Sequence, residues 1–366
     1  MTPPLTELLR PHAEEIFAAE LDALAAADTH TRPPSWRLSP WAVCTYLLGG
    51  DADGTPVTPK YIGPRRLVEV AVATLATDRA LLLLGVPGTA KTWVSEHLAA
   101  AISGDSTLMV QGTSGTPEEA IRYGWNYALL VAEGPSERSL VPAPVLRGMR
   151  EGKLVRFEEV TRCPLEVQDS LLSLLSDRVL AIPELAGDAG MVFAVEGFNI
   201  IATANTRDRG VNEMSAALKR RFNFETVFPI PDLETELALV DAEATTLLQR
   251  SGVQVAPRRD VLEVLVTTFR ELRDGVTETG DPLDRMSAVM STAEAVSVAH
   301  AVGLRGWFLR GEAGTPEDIV ECLAGTAAKD DAEDLARLRR YFEQQVPRKK
   351  GRHWKALHDA RHVLPG

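Results

Sequence analysis

The stretch that decides the fold is ALLLLGVPGTAKT, residues Ala80–Thr92. Its apolar run predicts a buried strand, and a loop with two glycines follows before Lys91 and Thr92 open a helix. In such a loop the backbone N–H groups surround a polyphosphate, the lysine reaches the β- and γ-phosphates, and the threonine hydroxyl ligates Mg²⁺. The stretch therefore predicts a phosphate-binding loop made of Gly85, Val86, Pro87, Gly88, Thr89, Ala90, Lys91 and Thr92.

One position departs from the general pattern of such loops. Ala90 precedes the lysine, where the pattern has glycine. Alanine is the smallest change from glycine, but it disfavours a left-handed backbone. On this stretch alone, a glycine-rich turn that binds nothing remains the alternative, and the motifs further along the chain weigh against it.

Composition and charge exclude several classes of protein. The 366 residues are 45% hydrophobic and 25% charged, which is ordinary for a folded domain. A net charge of −12 argues against a surface devoted to nucleic acid. No secretory signal and no run of about 18 apolar residues is present, so no membrane span is expected. Three widely spaced cysteines (Cys44, Cys163 and Cys322) fit a reducing cytoplasm, where we expect this protein.

The order of predicted elements divides the chain into four parts. Residues 1–59 form a helical extension, with helices at 5–28 and 40–48 and a linker at 49–59. Residues 60–230 alternate strands and helices, which predicts an α/β domain with a parallel sheet between two helical layers. Its predicted strands are Ala80–Leu84, Leu108–Gln111, Leu154–Phe157, Phe198–Thr203 and Glu225–Phe228.

The remainder of the chain is predicted to be helical. A lid domain is expected over 231–345, and a basic tail without clear periodicity over 346–366. The predicted helices of the lid are 232–250, 260–273, 285–301, 316–325 and 331–345. Within the α/β domain, Thr116 is predicted to cap a helix that starts at Pro117, and a longer helix is predicted over Pro164–Ser176.

Two adjacent acids, Glu158 and Glu159, follow the third predicted strand. In a nucleotide-hydrolysing site the first acid of such a pair holds hydrated Mg²⁺, and the second polarises the attacking water. Glu158 stands where aspartate is usual, and its extra methylene still permits a contact with a hydrated metal ion. Alone, two acids after a strand indicate a solvated turn. Their place after a phosphate-binding loop favours hydrolysis.

Polar residues at two later positions complete the predicted site. Asn205 follows the fourth predicted strand, where a carboxamide can position the attacking water, although an asparagine that caps a turn is the alternative. Arg220 and Arg221 lie in the sequence LKRRF. An arginine here can stabilise transition-state charge on a neighbouring subunit's ATP, and a salt-bridged surface helix end is an equal alternative.

Five motifs, in this order and spacing, resemble the AAA+ ATPases and, within them, the MoxR family. They are GVPGTAKT (85–92), FEEVTRCPLEVQDSLLSLLSDR (157–178), IIATANT (200–206), ALKRRF (217–222) and DRMSA (284–288). The resemblance covers about residues 60–300. The family has alanine before the lysine, as Ala90 is here. It reads DEINRA where this chain has EEVTRC, so Glu158 and Thr161 replace aspartate and asparagine.

The resemblance implies roles for the residues at the predicted sheet edge. The loop 85–92 would be Walker A, which binds ATP. Glu158 and Glu159 would be Walker B, with Glu159 as the catalytic base and Glu158 as a magnesium ligand together with Thr92. Asn205 would be sensor 1.

The resemblance also implies roles for residues that do not follow the central strands of the predicted sheet. The arginine finger would be Arg220 or Arg221, with a slight preference for Arg221. Arg285, which opens a predicted helix of the lid, would be sensor 2 and would contact the γ-phosphate in its own subunit. Tyr61 and Ile62 would line the adenine site.

Two segments resemble insertions of the family. Residues 121–152 would be the helix-2 insert, and residues 179–197 would be a β-hairpin before sensor 1. In related machines both segments face the centre of the ring and contact substrates or partners. Four side chains of the insert fit core packing and exposure equally well: Arg122, Tyr123, Trp125 and Tyr127.

The resemblance implies a homo-oligomeric ring, hexameric in the family, which uses ATP and Mg²⁺ to remodel or activate a protein client. A partner that carries a von Willebrand factor A (VWA) domain is implied in the same way. Two alternatives stay open. Glu158 and Thr161 motivate a nucleotide-switched scaffold with little hydrolysis. The basic C-terminus motivates a motor of a nucleic-acid system, which the net charge of −12 opposes.

Overall fold

The computed structural model describes residues 10–206 and 212–364. The chain divides into two compact units, Met1–Gly85 with Ala90–Val227 and Val86–Thr89 with Phe228–Gly366. Within the described ranges, no helix combines the length and the apolar character needed to cross a membrane.

The first unit is built from short helices and from strands that form one large sheet and three hairpins. Its helices are α1 (Ala13–Ile16), α2 (Ala18–Ala27), α3 (Pro40–Leu48), α4 (Arg65–Leu75), α5 (Lys91–Ser103), α6 (Tyr127–Glu133), α7 (Pro144–Glu151), α8 (Leu165–Asp169), α9 (Leu171–Ser176) and α10 (Ala216–Lys219). Its strands are β1 (Gly50–Ala52), β2 (Thr55–Val57), β3 (Ala80–Gly85), β4 (Met109–Gln111), β5 (Tyr123–Trp125), β6 (Leu140–Pro142), β7 (Leu154–Glu158), β8 (Val179–Ala181), β9 (Met191–Phe193), β10 (Asn199–Asn205) and β11 (Phe222–Thr226).

The large sheet has five strands in the order β11-β3-β10-β7-β4, and every neighbouring pair is parallel. Its central strands are buried along almost their whole length, as expected for a parallel sheet covered on both faces. Because β10 lies between β3 and β7, the carboxyl ends of these three strands meet at one edge. The predicted α/β fold class is confirmed, and the fifth strand begins earlier than predicted, at Phe222.

The N-terminal segment differs from the prediction in two places. The first part of the helix predicted over 5–28 lies outside the described residues. Within them, the helix is interrupted at Phe17, which separates α1 from α2. The predicted linker 49–59 instead contains an antiparallel hairpin of β1 and β2. Asp53 and Gly54 close this hairpin with φ values of +50° and +87°. Such an Asp-Gly pair is a strong two-residue hairpin signal, which the sequence analysis missed.

The N-terminal segment packs against α5, the helix that Lys91 begins. Glu96 of α5 accepts hydrogen bonds from Arg10 Nη2 (2.7 Å) and from the Ala13 backbone N–H (3.2 Å). His97 of α5 is buried, and its Nδ1 lies 2.8 Å from the Tyr46 hydroxyl. Burial lowers the pKa of His97 to about 3, so this histidine packs as a neutral ring.

Two helices of the α/β domain differ from prediction because side chains bond the backbone. Thr116 does not cap a helix, since its Oγ1 accepts from the Thr113 N–H (2.8 Å) and donates to Gln111 O (3.1 Å). Only a short 3₁₀ turn follows it. The helix predicted over Pro164–Ser176 is split at Ser170, whose hydroxyl donates to Val167 O at 2.8 Å.

Residues 121–152 and 179–197 each contain an antiparallel hairpin, β5–β6 and β8–β9 respectively. The two hairpins contact each other, because Arg122 Nη2 donates to Ala181 O and the Tyr123 hydroxyl donates to Glu184 Oε2, both at 3.0 Å. Of the four side chains that the sequence left undecided, Arg122, Tyr123 and Trp125 are half-buried, whereas Tyr127 is 76% exposed.

The second unit is a helical bundle around one apolar core. Its helices are α11 (Leu233–Arg250), α12 (Arg259–Asp274), α13 (Thr292–Arg310), α14 (Pro316–Ala327), α15 (Ala332–Gln344) and α16 (Arg352–Asp359). The segment expected to be a tail contains α16, and Trp354 and Leu357 of this helix are buried in the core. Lys349 Nζ contacts Glu271 Oε1 (2.7 Å) and lies over the Trp354 ring, so the charge of this residue of the predicted basic tail is compensated locally.

The helix predicted to begin at Arg285 is wrong at its start. Residues 285–290 are irregular, and α13 begins only at Thr292. Ser291 caps this helix in a capping box with Glu294, and the preceding Met290 has a φ of +51°, which no helix continues through.

Candidate functional site

The loop 85–92 joins β3 to α5 with the backbone shape of a phosphate-binding loop. Gly88 and Ala90 both have left-handed backbones, with φ values of +76° and +63°. Lys91 is only 7% exposed, and its Nζ donates to Gly85 O at 3.2 Å. The loop thus delivers a buried lysine and the open end of a 13-residue helix to the carboxyl edge of the sheet, an arrangement suited to anions.

Ala90 stores strain, because a left-handed backbone costs a non-glycine residue about 1 kcal/mol or more. We therefore expect Ala90→Gly to raise the free energy of unfolding by about 0.5–1 kcal/mol, since relief of strain outweighs the extra flexibility of glycine in the unfolded chain. Ala73→Gly, at an exposed interior position of α4, should instead lower it by about 1 kcal/mol. Denaturant unfolding of both variants measures the free energy of unfolding. An equal decrease of this free energy in the two variants would contradict strain at Ala90.

Glu158, the last residue of β7, is 2% exposed and accepts hydrogen bonds at both carboxylate oxygens. Its Oε2 accepts from the hydroxyls of Thr92 (2.9 Å) and Thr203 (2.7 Å). Its Oε1 accepts from the Ser95 hydroxyl (2.5 Å) and from Arg156 Nη2 (3.0 Å). The glutamate side chain, which is longer than the usual aspartate, therefore fits at position 158. It links α5, the helix after the loop, to β7 and β10.

Glu159 follows directly and has a left-handed backbone, with a φ of +55°. Its N–H donates to the Thr203 hydroxyl at 3.0 Å, which fixes the backbone at this turn. Its side chain is about one third exposed, and its Oε2 lies 2.6 Å from Arg162 Nε. A strained backbone held by specific bonds is typical of functional sites. The adjacent acids thus differ sharply: one is buried and fully bonded, and the other reaches solvent.

Asn205 ends β10 directly opposite Gly85 of β3. Since β10 is the strand between the loop and the two acids, the structure brings Asn205 to the same edge as Lys91, Thr92 and the pair Glu158–Glu159. The candidate site of the first unit therefore contains the predicted loop lysine, threonine, both acids and the asparagine.

Arg220 and Arg221 lie at the opposite edge of the sheet. They immediately precede β11, whose first residue pairs with Ala80 at the start of β3. The length of β3 separates that edge from the loop by about 16 Å. Arg221 donates within its own chain, to the Ser176 hydroxyl (2.8 Å) and to Ala217 O (2.9 Å). No hydrogen bond or ion pair joins the exposed Arg220 guanidinium to another residue that the structure describes.

Of the remaining predicted site residues, Arg285 has a local hydrogen-bond partner, whereas the buried Tyr61 hydroxyl has none among the described residues. Arg285 belongs to the second unit, where its Nε donates to Asp274 O at 2.9 Å. Tyr61 is buried, and its ring packs against Gly63 so closely that no side chain fits there. Burial raises the pKa of the Tyr61 hydroxyl. Ile62 is half-buried beside it.

Three residues that hold Glu158 were not predicted from the sequence: Ser95, Arg156 and Thr203. Arg156 is 5% exposed, a cation inside an otherwise apolar strand, and this contrast in LVRFE was the available signal. Residues 156 and 158 share one face of β7 because side chains alternate along a strand. Ser95 lies one helical turn after Thr92, so both hydroxyls of α5 point towards that face.

The donor set of this edge suits a hard divalent cation. Thr92 and Glu158 offer a hydroxyl and a carboxylate oxygen, the ligands that Mg²⁺ prefers. Among residues 10–206 and 212–364, no group of three or more His, Cys, Asp and Glu side chains could hold a metal ion by itself. A metal ion held at Thr92 and Glu158 would therefore take its other ligands from water and a bound phosphate, as Mg²⁺ usually does.

Two family models match the chain. Residues 80–222 match the AAA domain of the dynein-related subfamily, and residues 234–365 match the YehL-like AAA+ ATPase C-terminal domain. The first match contains the loop, both acids, the asparagine and both arginines of the site just described.

Similar proteins occur in bacteria. The uncharacterized protein YehL of Escherichia coli strain K12 is 56% identical over 366 residues, which is 100% of both chains. The uncharacterized protein SAUSA300_1302 of Staphylococcus aureus strain USA300 is 29% identical over 152 residues, 42% of this chain and 56% of that protein. NtrX of Brucella abortus, solved with ADP, superimposes with a TM-score of 0.48 at 12% identity, covering 83% of this chain and 65% of that chain.

Proposed function

The chain belongs to the YehL-like AAA+ ATPases, and on that premise we propose that it hydrolyses ATP in a homo-oligomeric ring. The observation that carries the proposal is the placement of Arg220. Arg220 precedes β11 at the sheet edge opposite to its own phosphate-binding loop, and its exposed guanidinium has no partner among the described residues. An arginine so placed serves a neighbouring subunit's nucleotide, so each site is completed across an interface.

Within one subunit, the residues at the carboxyl edge divide the work of hydrolysis. Lys91 offsets charge on the β- and γ-phosphates. The Glu159 carboxylate accepts a hydrogen bond from the attacking water and draws its proton away as the bond to the γ-phosphorus forms, and Asn205 orients that water. Thr92 and Glu158 would hold Mg²⁺, which supplies further neutralisation of phosphate charge when it is bound. The products are ADP and inorganic phosphate.

Arg220, rather than Arg221, is the finger in this proposal. The sequence slightly favoured Arg221, but that side chain is held by Ser176 and Ala217 of its own subunit. Arg285 as sensor 2 and Tyr61 with Ile62 at the adenine remain part of the proposal on the resemblance alone.

The finer assignment is a MoxR-type machine, hexameric and cytoplasmic, that remodels or activates a protein client together with a VWA-domain partner. Its support is the order of the five motifs and the two hairpin insertions, which expose apolar side chains such as Tyr127, Val131 and Phe193. Cys44, Cys163 and Cys322 are free thiols, in keeping with a reducing compartment.

One observation favours a second candidate, a nucleotide-switched scaffold with little hydrolysis. The Glu159 carboxylate is paired with Arg162 at 2.6 Å, and a base so engaged is not free to polarise water. In this candidate, ATP binding changes the ring's contacts, and turnover stays slow until a partner releases Glu159.

The proposal predicts that ATP turnover per subunit depends on protein concentration. Turnover should rise with concentration to a plateau, because dilution separates subunits and removes the arginine from each site. Lys91→Ala should abolish nucleotide binding and turnover. The measurement is steady-state release of phosphate from Mg·ATP across a wide range of protein concentrations. A constant, measurable turnover would contradict shared sites, and tight binding with negligible turnover at every concentration would favour the switched scaffold.

A further inference from the structure

The hydrogen bonds around Glu158 suggest how the site chooses its metal ion. We propose that Arg156 and Ser95 are positioning residues that occupy Oε1 of Glu158, leave only Oε2 for the metal, and thereby make the site select Mg²⁺ over Ca²⁺. The inference rests on the proposed function, because the metal in question is the one that accompanies ATP.

The two oxygens of Glu158 have different surroundings. Oε1 faces the buried side, where it meets the Ser95 hydroxyl at 2.5 Å and Arg156 Nη2 at 3.0 Å. Oε2 accepts from two hydroxyls, those of Thr92 at 2.9 Å and Thr203 at 2.7 Å, and Thr92 is the threonine that a phosphate-binding loop uses for the metal. The carboxylate therefore has its Oε1 held by the charged Arg156, whereas its Oε2 meets only hydroxyls, which can rotate away when a metal ion binds.

Arg156 cannot release Oε1 easily, because its guanidinium is fixed by three other bonds. Its Nε donates to the Ser95 hydroxyl (3.1 Å), its Nη1 to Ser106 O (3.1 Å) and its Nη2 to Thr92 O (3.2 Å). Both partners of this ion pair are nearly buried, and the three further bonds of the guanidinium keep the pair in one geometry. Arg156 thus acts on the metal only through Glu158.

A carboxylate that can offer only one of its oxygens to a metal ion discriminates between the two ions. Mg²⁺ requires a near-ideal octahedron and takes carboxylates through a single oxygen, whereas Ca²⁺ accepts more ligands and often both oxygens of one carboxylate. Freeing Oε1 would let Glu158 turn towards the metal with both oxygens. Ca²⁺ would gain from this change and Mg²⁺ would not.

The ratio of the two affinities separates this effect from simple electrostatics. Removing a buried positive charge changes the field for every divalent ion to the same extent, because Mg²⁺ and Ca²⁺ carry equal charge. A change in the Ca²⁺/Mg²⁺ ratio therefore reports the geometry of the carboxylate. A merely structural role of Arg156 would lower stability or nucleotide affinity and leave the ratio where it was.

The test measures how Mg²⁺ and Ca²⁺ each strengthen binding of a fluorescent, non-hydrolysable ATP analogue. We expect Arg156→Met to shift the Ca²⁺/Mg²⁺ affinity ratio towards Ca²⁺ by about 10-fold, the lower end of the range for residues that orient metal ligands. Ser95→Ala changes no charge and removes one of the two hydrogen bonds to Oε1, so it should shift the ratio in the same direction by a smaller factor. It also keeps the test decisive if Arg156→Met fails to fold.

A Glu158→Gln background provides the matched control. If Arg156 acts through Glu158, adding Arg156→Met to Glu158→Gln should leave the ratio unchanged. An unchanged ratio in both single variants, or the same shift in the Glu158→Gln background, would overturn the inference. Binding in EDTA separates this failure from failure of the proposed function. Wild-type chain that binds no analogue under any condition refutes nucleotide binding itself, whereas binding with an unaltered ratio refutes only the role of Arg156 and Ser95.

Discussion

Glu159→Gln is expected to lower ATP turnover by about 10²- to 10⁴-fold while ATP still binds, because the amide cannot accept the proton of the attacking water. The change is nearly isosteric, and the Glu159 side chain is about one third exposed, so the fold should be kept. Loss of the Arg162 ion pair should have little effect on stability, since half-exposed pairs contribute at most about 1 kcal/mol. Nucleotide affinity depends on Lys91 and the loop, which the variant leaves intact.

The measurement pairs phosphate release under saturating Mg·ATP with equilibrium binding of the nucleotide. Glu166→Gln, at an exposed position of the nearby α8, is the matched control and should retain wild-type turnover. Turnover by Glu159→Gln close to that of the wild type would remove Glu159 as the base. Loss of nucleotide binding in this variant would show instead that the acid supports the site's structure.

Arg220→Ala is expected to lower turnover by about 10³-fold, the lower end of the range for arginine fingers, with nucleotide binding almost unchanged. The reason is that Arg220 precedes β11 at the sheet edge away from its own loop, and its guanidinium lacks partners among the described residues. Stability should therefore be unaffected. Thermal unfolding, nucleotide binding and turnover of the same preparation test the three parts of this expectation.

Arg221→Ala is the control for Arg220→Ala, one residue away. It removes hydrogen bonds to Ser176 and Ala217, so it should cost stability of about 1 kcal/mol and should retain most turnover. The reverse pattern, with turnover lost on replacing Arg221 and kept on replacing Arg220, would identify Arg221 as the finger.

The large sheet and the main residues of the candidate site were predictable from the sequence. Buried parallel strands appear as short apolar runs, and the polar residues that end them mark the sheet edge where ligands bind. Gly85, Glu158 and Asn205 end three such runs, and the structure brings them to one edge.

Features that depend on side chains reaching across elements were not predictable. Arg156 is a strand residue whose partners come from α5, from the segment after α5 and from its own strand, and no local pattern connects these positions. Likewise, Thr116 has the sequence of a helix cap, yet its hydroxyl bonds Gln111 and Thr113 instead. Side-chain hydrogen bonds of this kind override the local preference for a helix.

The positions of Arg220 and Arg221 could also be determined only once the fold was known. In the sequence LKRRF either residue could extend from the end of α10, and only the strand pairing of β11 with β3 locates them at the far edge. Their different partners then distinguish them, because Arg221 reaches back to Ser176, a residue distant in sequence.

The most direct test of shared sites mixes two inactive variants, Glu159→Gln and Arg220→Ala. Each lacks what the other supplies: in a mixed ring, an Arg220→Ala subunit keeps its own base and receives the arginine of an adjacent Glu159→Gln subunit. Random equimolar mixing should make about one quarter of the interfaces complete, and turnover should recover to roughly that fraction of wild type. We expect recovery at this level. Mixed rings that form, as shown by co-purification of differently tagged subunits, and yet stay inactive would contradict shared sites.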